Sequence, residues 1–154
     1  MSYAGFWKRF AAYLIDTIII GCVVGIISLV FGIGLFGSMA SMDMESMGED
    51  ETAVMAAGMI GGIMTFVLFV FLAQWLYFAL MESSSKQATL GKMALSIVVT
   101  DLNGNRISFG RATGRYFGKI LSGLVLYIGY IMAGFTEKKQ ALHDMIAGCL
   151  VVNK

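Results

Sequence analysis

Two long apolar runs constrain this chain more than any other feature. Residues 10–37 contain one ionisable side chain, Asp16, and residues 53–81 contain none. Each run exceeds the roughly 20 residues that cross a hydrocarbon core. At 154 residues, 58% of them hydrophobic and 14% charged, the chain is too short for two ordinary soluble domains and too apolar for one. Backbone at membrane depth must satisfy its own hydrogen bonds, so both runs are predicted to be transmembrane helices. A cleaved signal fits the first run poorly, because a signal's apolar region is only about 7–15 residues long. The apolar content excludes disorder, and the lack of Pro with only two Cys excludes a collagen or a disulfide scaffold.

The charges are sorted along the chain. Residues 38–52 carry Asp43, Glu45, Glu49, Asp50 and Glu51 and no base, whereas Lys8 and Arg9 precede the first run and Lys86 and Lys92 follow the second. The positive-inside rule predicts a multi-pass protein of the inner (plasma) membrane with its N-terminus in the cytoplasm and the acidic connection outside. Small residues recur on both helices, at Gly21, Gly25, Ser28 and Gly32 and at Ala57, Gly58, Gly61 and Gly62. Such stripes suit close helix packing within the chain or between copies.

Residues 82–110 shift to a polar and then alternating pattern, and Asn103-Gly104 between short β-prone runs predicts a cytoplasmic hairpin over residues 96–109. Arg111, Arg115 and Lys119 recur every four residues, a basic stripe suited to anionic lipid at the inner membrane face. The apolar segment that follows, within residues 111–135, reads as re-entrant or spanning. The re-entrant form, broken near Gly123 to Gly129, returns the C-terminus to the cytoplasm. Residues 136–154 then read as a short amphipathic helix ending at Gly148 and a strand that joins the hairpin. The expected fold is an all-α integral membrane protein, one domain over residues 1–154. It has two transmembrane helices, a third re-entrant or spanning apolar helix and a small β-hairpin element.

Asp16 is conspicuous because an aspartate at helix centre costs roughly 2.5–3.5 kcal/mol on insertion scales and usually faces a partner or a cavity. Arg9 lies seven residues before it on nearly the same helical face, with Tyr13 between them. Gln74, seven residues inward from Met81, lies at a similar depth on the second helix and is an expected hydrogen-bond partner. Arg9 and Asp16 therefore form either a polar clasp or a titratable cation or proton site. His143-Asp144 is a second polar pair, able to meet Arg9 if the C-terminus is inside.

These residues carry a family resemblance. Phe6-Trp7-Lys8-Arg9-Phe10-Ala11-Ala12-Tyr13-Leu14-Ile15-Asp16, Gln87-Ala88-Thr89-Leu90-Gly91-Lys92, Ser108-Phe109-Gly110-Arg111-Ala112 and Gln140-Ala141-Leu142-His143-Asp144-Met145-Ile146-Ala147-Gly148 resemble, in order and spacing, the RDD family of small prokaryotic integral membrane proteins. The resemblance spans about residues 3–152. It puts the family's arginine on Arg9 and its aspartates on Asp16 and Asp144. The third apolar run of many relatives contains Pro where this chain has Gly. Some members behave as monovalent cation/proton antiporters, so the resemblance implies exchange of a small cation. Asp16 would be its site, Arg9 its charge partner, and Asp144 with His143 an inner gate. A protomer this small would work as a homo-oligomer.

The outer connection also holds Met39, Met42, Met44 and Met47, whose soft thioethers suit Cu(I). The favoured reading is a flexible loop in a Met-rich chain, with Cu(I) handling as the alternative. No phosphate-binding loop, His-Glu-x-x-His or nucleophile elbow is present, so neither an enzyme nor a bound cofactor is expected. Nucleic acid is not an expected partner, because the bases serve better as membrane anchors. The competing class is a structural or adaptor membrane protein that organises a partner complex.

Overall fold

The computed structural model describes residues 2–41, 47–124 and 128–154. Its order is α1 (Phe6–Ala40), α2 (Glu49–Ser83), α3 (Leu90–Ala94), β1 (Ile97–Asp101), α4 (Phe109–Leu124), α5 (Ile128–Ile131), a 3-10 turn (Met132–Gly134), α6 (Leu142–Ala147) and β2 (Cys149–Asn153). The protein is mostly helical, with two long apolar helices and one small sheet. At 1.5 Å per residue, α1 and α2 are each about 52 Å long, more than a hydrocarbon core of about 30 Å. Both outlast their predicted apolar runs because α1 starts on the Phe6-Trp7 anchor and α2 on Glu49, Asp50 and Glu51, acids that complement a helix N-terminus.

The chain divides into two compact units. One comprises residues 19–73, the greater part of α1 and α2. Its surface is apolar, with Ile26, Leu29, Val30, Phe36, Ile60 and Met64 all more than 60% exposed, a surface suited to lipid and not to water. Phe31 stacks on Phe66 at 4.8 Å. The glycine stripes meet little inside the chain: a side chain added at Gly21, Gly25, Gly32, Gly58 or Gly61 would find nothing within 4 Å, and at Gly62 only Phe31 at 3.9 Å.

The other unit joins residues 1–18 to residues 74–154. Its apolar core brings Ala12 of α1, Ala79 of α2 and Ala112 of α4 together with Ile97, Val99, Ile107, Cys149 and Val151. Alanines at the helical positions allow the close approach. The sheet is a correction to the expected hairpin: β1 pairs antiparallel with β2, Ile97 opposite Asn153 and Asp101 opposite Cys149, and residues 106–109 form no strand. The Asn103-Gly104 turn does form, with Asp101 accepting the amides of Asn103 at 2.9 Å and Asn105 at 2.8 Å. It delivers the chain into α4 instead of a return strand, because Ser108 accepts the amides of the first α4 turn with its carbonyl and hydroxyl. The predicted C-terminal strand does join the sheet.

The N-terminus completes this unit. Tyr3 bridges Val152, and Ala4 donates its amide to Val151 at 2.9 Å. α6 ends at Gly148 in the left-handed conformation, φ 60°. The predicted break between Gly123 and Gly129 includes residues 125–127, outside the described residues. α4 ends at Leu124 before them and α5 starts at Ile128 after them.

Candidate functional site

Asp16 is buried, 1% exposed, and among the described residues its carboxylate accepts from neutral donors only. Tyr77 donates its hydroxyl to Oδ1 at 3.0 Å, Gly91 its amide to Oδ1 at 2.8 Å, and Thr89 its hydroxyl to Oδ2 at 2.5 Å. Tyr77 in turn accepts the Leu90 amide at 3.1 Å. Asp16 thus caps α3 from another helix, serving N–H groups that the helix itself leaves unpaired. Gly91 makes the approach possible: a Cβ there would lie 2.1 Å from the Ala12 carbonyl and 2.9 Å from the Asp16 carboxyl carbon.

Two expected partnerships are corrected here. Arg9 is not the charge partner of Asp16, because the pairing of residues 3 and 4 with β2 brings the first turn of α1 beside α6. Its guanidinium there meets Asp144. Gln74 is not among the donors to Asp16; Tyr77, one turn further along α2, reaches the carboxylate instead.

The second cluster centres on Arg115, 2% exposed. Its Nε donates to Asp144 at 2.7 Å and its Nη1 to Glu82 at 2.7 Å. The other Asp144 oxygen accepts from Arg9 Nη1 and from the Ala141 amide at 3.2 Å, the latter capping α6. The other Glu82 oxygen accepts from Lys92 and, at 3.5 Å, from Lys119, whose ammonium also lies 4.3 Å from the centre of the Phe78 ring. One ion network thereby ties α1, α2, α3, α4 and α6 together. The three bases of the predicted stripe do not share one exposed face. Arg115 is buried in ion pairs and Lys119 is mostly buried, and only Arg111, 4.0 Å from Asp101, stays on the surface.

His143 lies beside the network, its Nε2 3.5 Å from Asp144 and its Nδ1 3.4 Å from the Ser122 hydroxyl. Ser122 gives its proton to the Gly118 carbonyl at 2.9 Å and is fully buried, so this is not the geometry of an activated nucleophile. Burial pushes His143 down to about 3, further than Asp144 raises it, so the imidazole is neutral at physiological pH. Burial pushes Asp144 up, but Arg115, His143 and Arg9 outweigh it and hold the carboxyl well below its usual range. Lys92 is pushed down to about 7, by burial first and then by Arg115 and Lys119, against the pull of Glu82.

These groups surround a cavity of about 350 Å³. Arg9, Lys92, Arg115, Lys119 and His143 line it, with Asp16 also in its wall. Phe6, Phe10, Tyr13, Phe78 and Tyr130 supply its apolar lining. Four cationic side chains thus share two carboxylates, or three with Asp16 included. Arg9 Nη2 is buried and has no hydrogen-bond partner among the described residues. Of the expected site residues, Arg9, Asp16 and His143 line this one cavity and Asp144 anchors its cations. Met39 lies in the last turn of α1, Met47 precedes α2, and Met42 and Met44 lie outside the described residues.

Sequence reasoning missed Glu82, Tyr77, Thr89 and Gly91. Glu82 carried a signal, as the first charge after 30 residues without one. The Thr89-Leu90-Gly91 segment carried only its place in a family block.

The chain matches the model of the RDD family over residues 3–148. It is 40% identical over 151 residues to the uncharacterized protein YxaI of Bacillus subtilis (strain 168), covering 98% of this chain and 97% of the relative. It is 33% identical over 159 residues to the uncharacterized membrane protein YteJ of the same organism, covering 99% and 82%. No solved structure matches it significantly. With the match running over residues 3–148, almost end to end, this membrane protein belongs to the RDD family.

Proposed function

We propose that this protein is a membrane-embedded binding module. It holds an anionic oxygen group, phosphate or carboxylate, in the cavity at one end of its two spanning helices. One observation carries the reading: Arg9, Arg115, Lys119 and the partly charged Lys92 line the cavity beside one lining carboxylate, Asp16, and a buried Arg9 N–H has no acceptor among the described residues. Buried charge short of partners is costly, and an incoming anion relieves it. A monovalent cation meets the opposite field. Two unit charges 4 Å apart interact by about 4 kcal/mol at an effective dielectric near 20. The charge sorting and the Tyr3–Val152 bridge support a cytoplasmic position for both termini. α4 and α5 then lie at the inner face of the plasma membrane without crossing it.

The test is the unfolding temperature of the purified full chain in neutral detergent, titrated with inorganic phosphate, acetate and dodecyl phosphate. At least one anion is expected to raise it saturably, and Lys119→Gln to weaken the effect. No stabilisation by any of them would overturn the reading.

Exchange of a monovalent cation for a proton is the second reading. It is favoured by a specific observation, that Asp16 lies in the cavity wall with only neutral donors on its carboxylate. Cation-driven proton flux in proteoliposomes, abolished by Asp16→Asn at normal protein abundance, would establish it.

A further inference from the structure

Building on the anion-binding reading, we infer that the occupant is the phosphate headgroup of an anionic membrane lipid, which enters the cavity sideways from the bilayer. The cavity wall argues for the lipid source. Its cations sit deep: Arg115, Lys92 and Lys119 are held on Glu82 and Asp144 and are largely buried. Its rim is apolar. Phe10, Tyr13 and Ile131 line the cavity and are 48%, 54% and 47% exposed, so the same side chains face the interior and the surroundings. Two of them lie on α1, one of the membrane-crossing helices. A mouth of this kind opens toward acyl chains and glycerol, whereas a free phosphate would shed its water against aromatic rings to pass it.

A second, shallower cavity continues the first. It shares Phe6, Ile131 and Ala133 with it and is bordered by Trp7, Phe135, Lys8 and Lys139. Trp7 is 77% and Phe135 87% exposed. Exposed aromatics flanked by lysines are the side chains that settle at a membrane–water boundary, so the mouth lies at headgroup depth. Arg9 immediately precedes the rim residue Phe10 on α1, so the cationic end lies within a headgroup's reach of the rim. The bound phosphate would accept from Arg9 Nη2 and from Lys119, the ammonium most loosely held by Glu82. The first carbons of the lipid would lie against Phe10 and Tyr13.

Native mass spectrometry of the full chain, released from micelles containing equal phosphatidylcholine and phosphatidylglycerol, tests this. The expected result is one phosphatidylglycerol retained per protomer, favoured over phosphatidylcholine by about tenfold. Lys119→Gln lowers that preference, whereas Arg111→Gln, which alters an exposed base outside the cavity, leaves it unchanged. Equal retention of the two lipids overturns the inference. If inorganic phosphate nevertheless stabilises the protein, the anion-binding reading stands and only the lipid source fails. If phosphate and lipid both fail, both readings fall. An equal loss in the two variants moves the site to the surface and also overturns the inference. The comparison of lipids uses the unaltered protein, so it is decided even if Lys119→Gln misfolds.

Discussion

Arg9 in the first turn of α1 donates to Asp144 in α6, 135 residues further along the chain. That ion pair joins the two ends of the sequence, and Arg115 on the same carboxylate joins them to α4. Removing one member of a buried pair leaves its partner uncompensated, at a cost of about 3–5 kcal/mol. Asp144→Asn and Arg115→Met are each expected to lower the unfolding temperature sharply in detergent. Arg9→Met is expected to add less on an Asp144→Asn background than it costs alone, since both act on one network. Full additivity would contradict a single network.

Asp16 holds α3, and its loss should be read there. Asp16→Asn keeps an acceptor but sets an NH2 group against donors, an expected cost of about 1–3 kcal/mol. Hydrogen exchange should quicken at the Leu90 and Gly91 amides, whereas Gln74→Leu should leave them protected. Gly91→Ala should quicken them more strongly than Asp16→Asn, because its methyl would collide with the Ala12 carbonyl.

Lys92 makes anion binding depend on pH. Its ammonium, facing Glu82, Arg115 and Lys119, is pushed down to about 7, by burial before any neighbour. An anion in the cavity favours the charged form, so binding takes up a proton where the free protein has lost it. Affinity is therefore expected to be highest below pH 7 and to fall as pH rises through and above it. Lys92→Gln should flatten that dependence. The measurement is a binding isotherm at a series of pH values for dihexyl phosphate, a diester whose single charge does not change across this range.

His143 makes stability depend on pH in a lower window. Its folded value lies near 3 and its ordinary value is 6.5, so the unfolded chain binds the extra proton between them. The stabilisation is fully present above 6.5 and is lost as pH falls toward 3, by up to about 1.4 kcal/mol per pH unit. His143→Gln should be less stable at pH 7.5 and less sensitive to pH from 6.5 to 4.5, as read by thermal unfolding.

The two spanning helices were legible because membrane insertion depends on a run of about 20 apolar residues, a property of the sequence itself. Arg9, Asp16 and Asp144 were legible as isolated charges in apolar surroundings. Of their partners, only the Arg9–Asp144 meeting was foreseen, as one of two alternatives for Arg9, because partners depend on tertiary packing. Helical spacing put Arg9 beside Asp16, but the backbone pairing of Tyr3 and Ala4 with β2 turned Arg9 to Asp144. The same limit hid the sheet. Asn103-Gly104 specifies a turn, but on the edge of β1 where a return strand would pair, the Val99 amide donates to Gln87 and the Asp101 amide to Asn105, and residues 106–108 lead on into α4. Arg115 looked like one of three equivalent bases until α6 placed Asp144 against it.

The central claim is that the cavity between Arg9 and Lys119 receives an anion and not a cation. Isothermal titration of dodecyl phosphate into the full chain in maltoside micelles tests it most directly, alongside cation-driven proton flux in proteoliposomes. The account predicts saturable binding at one site per protomer, weakened about tenfold or more by Lys119→Gln, and no flux. Absence of saturable binding together with a cation-driven flux lost in Asp16→Asn would contradict it.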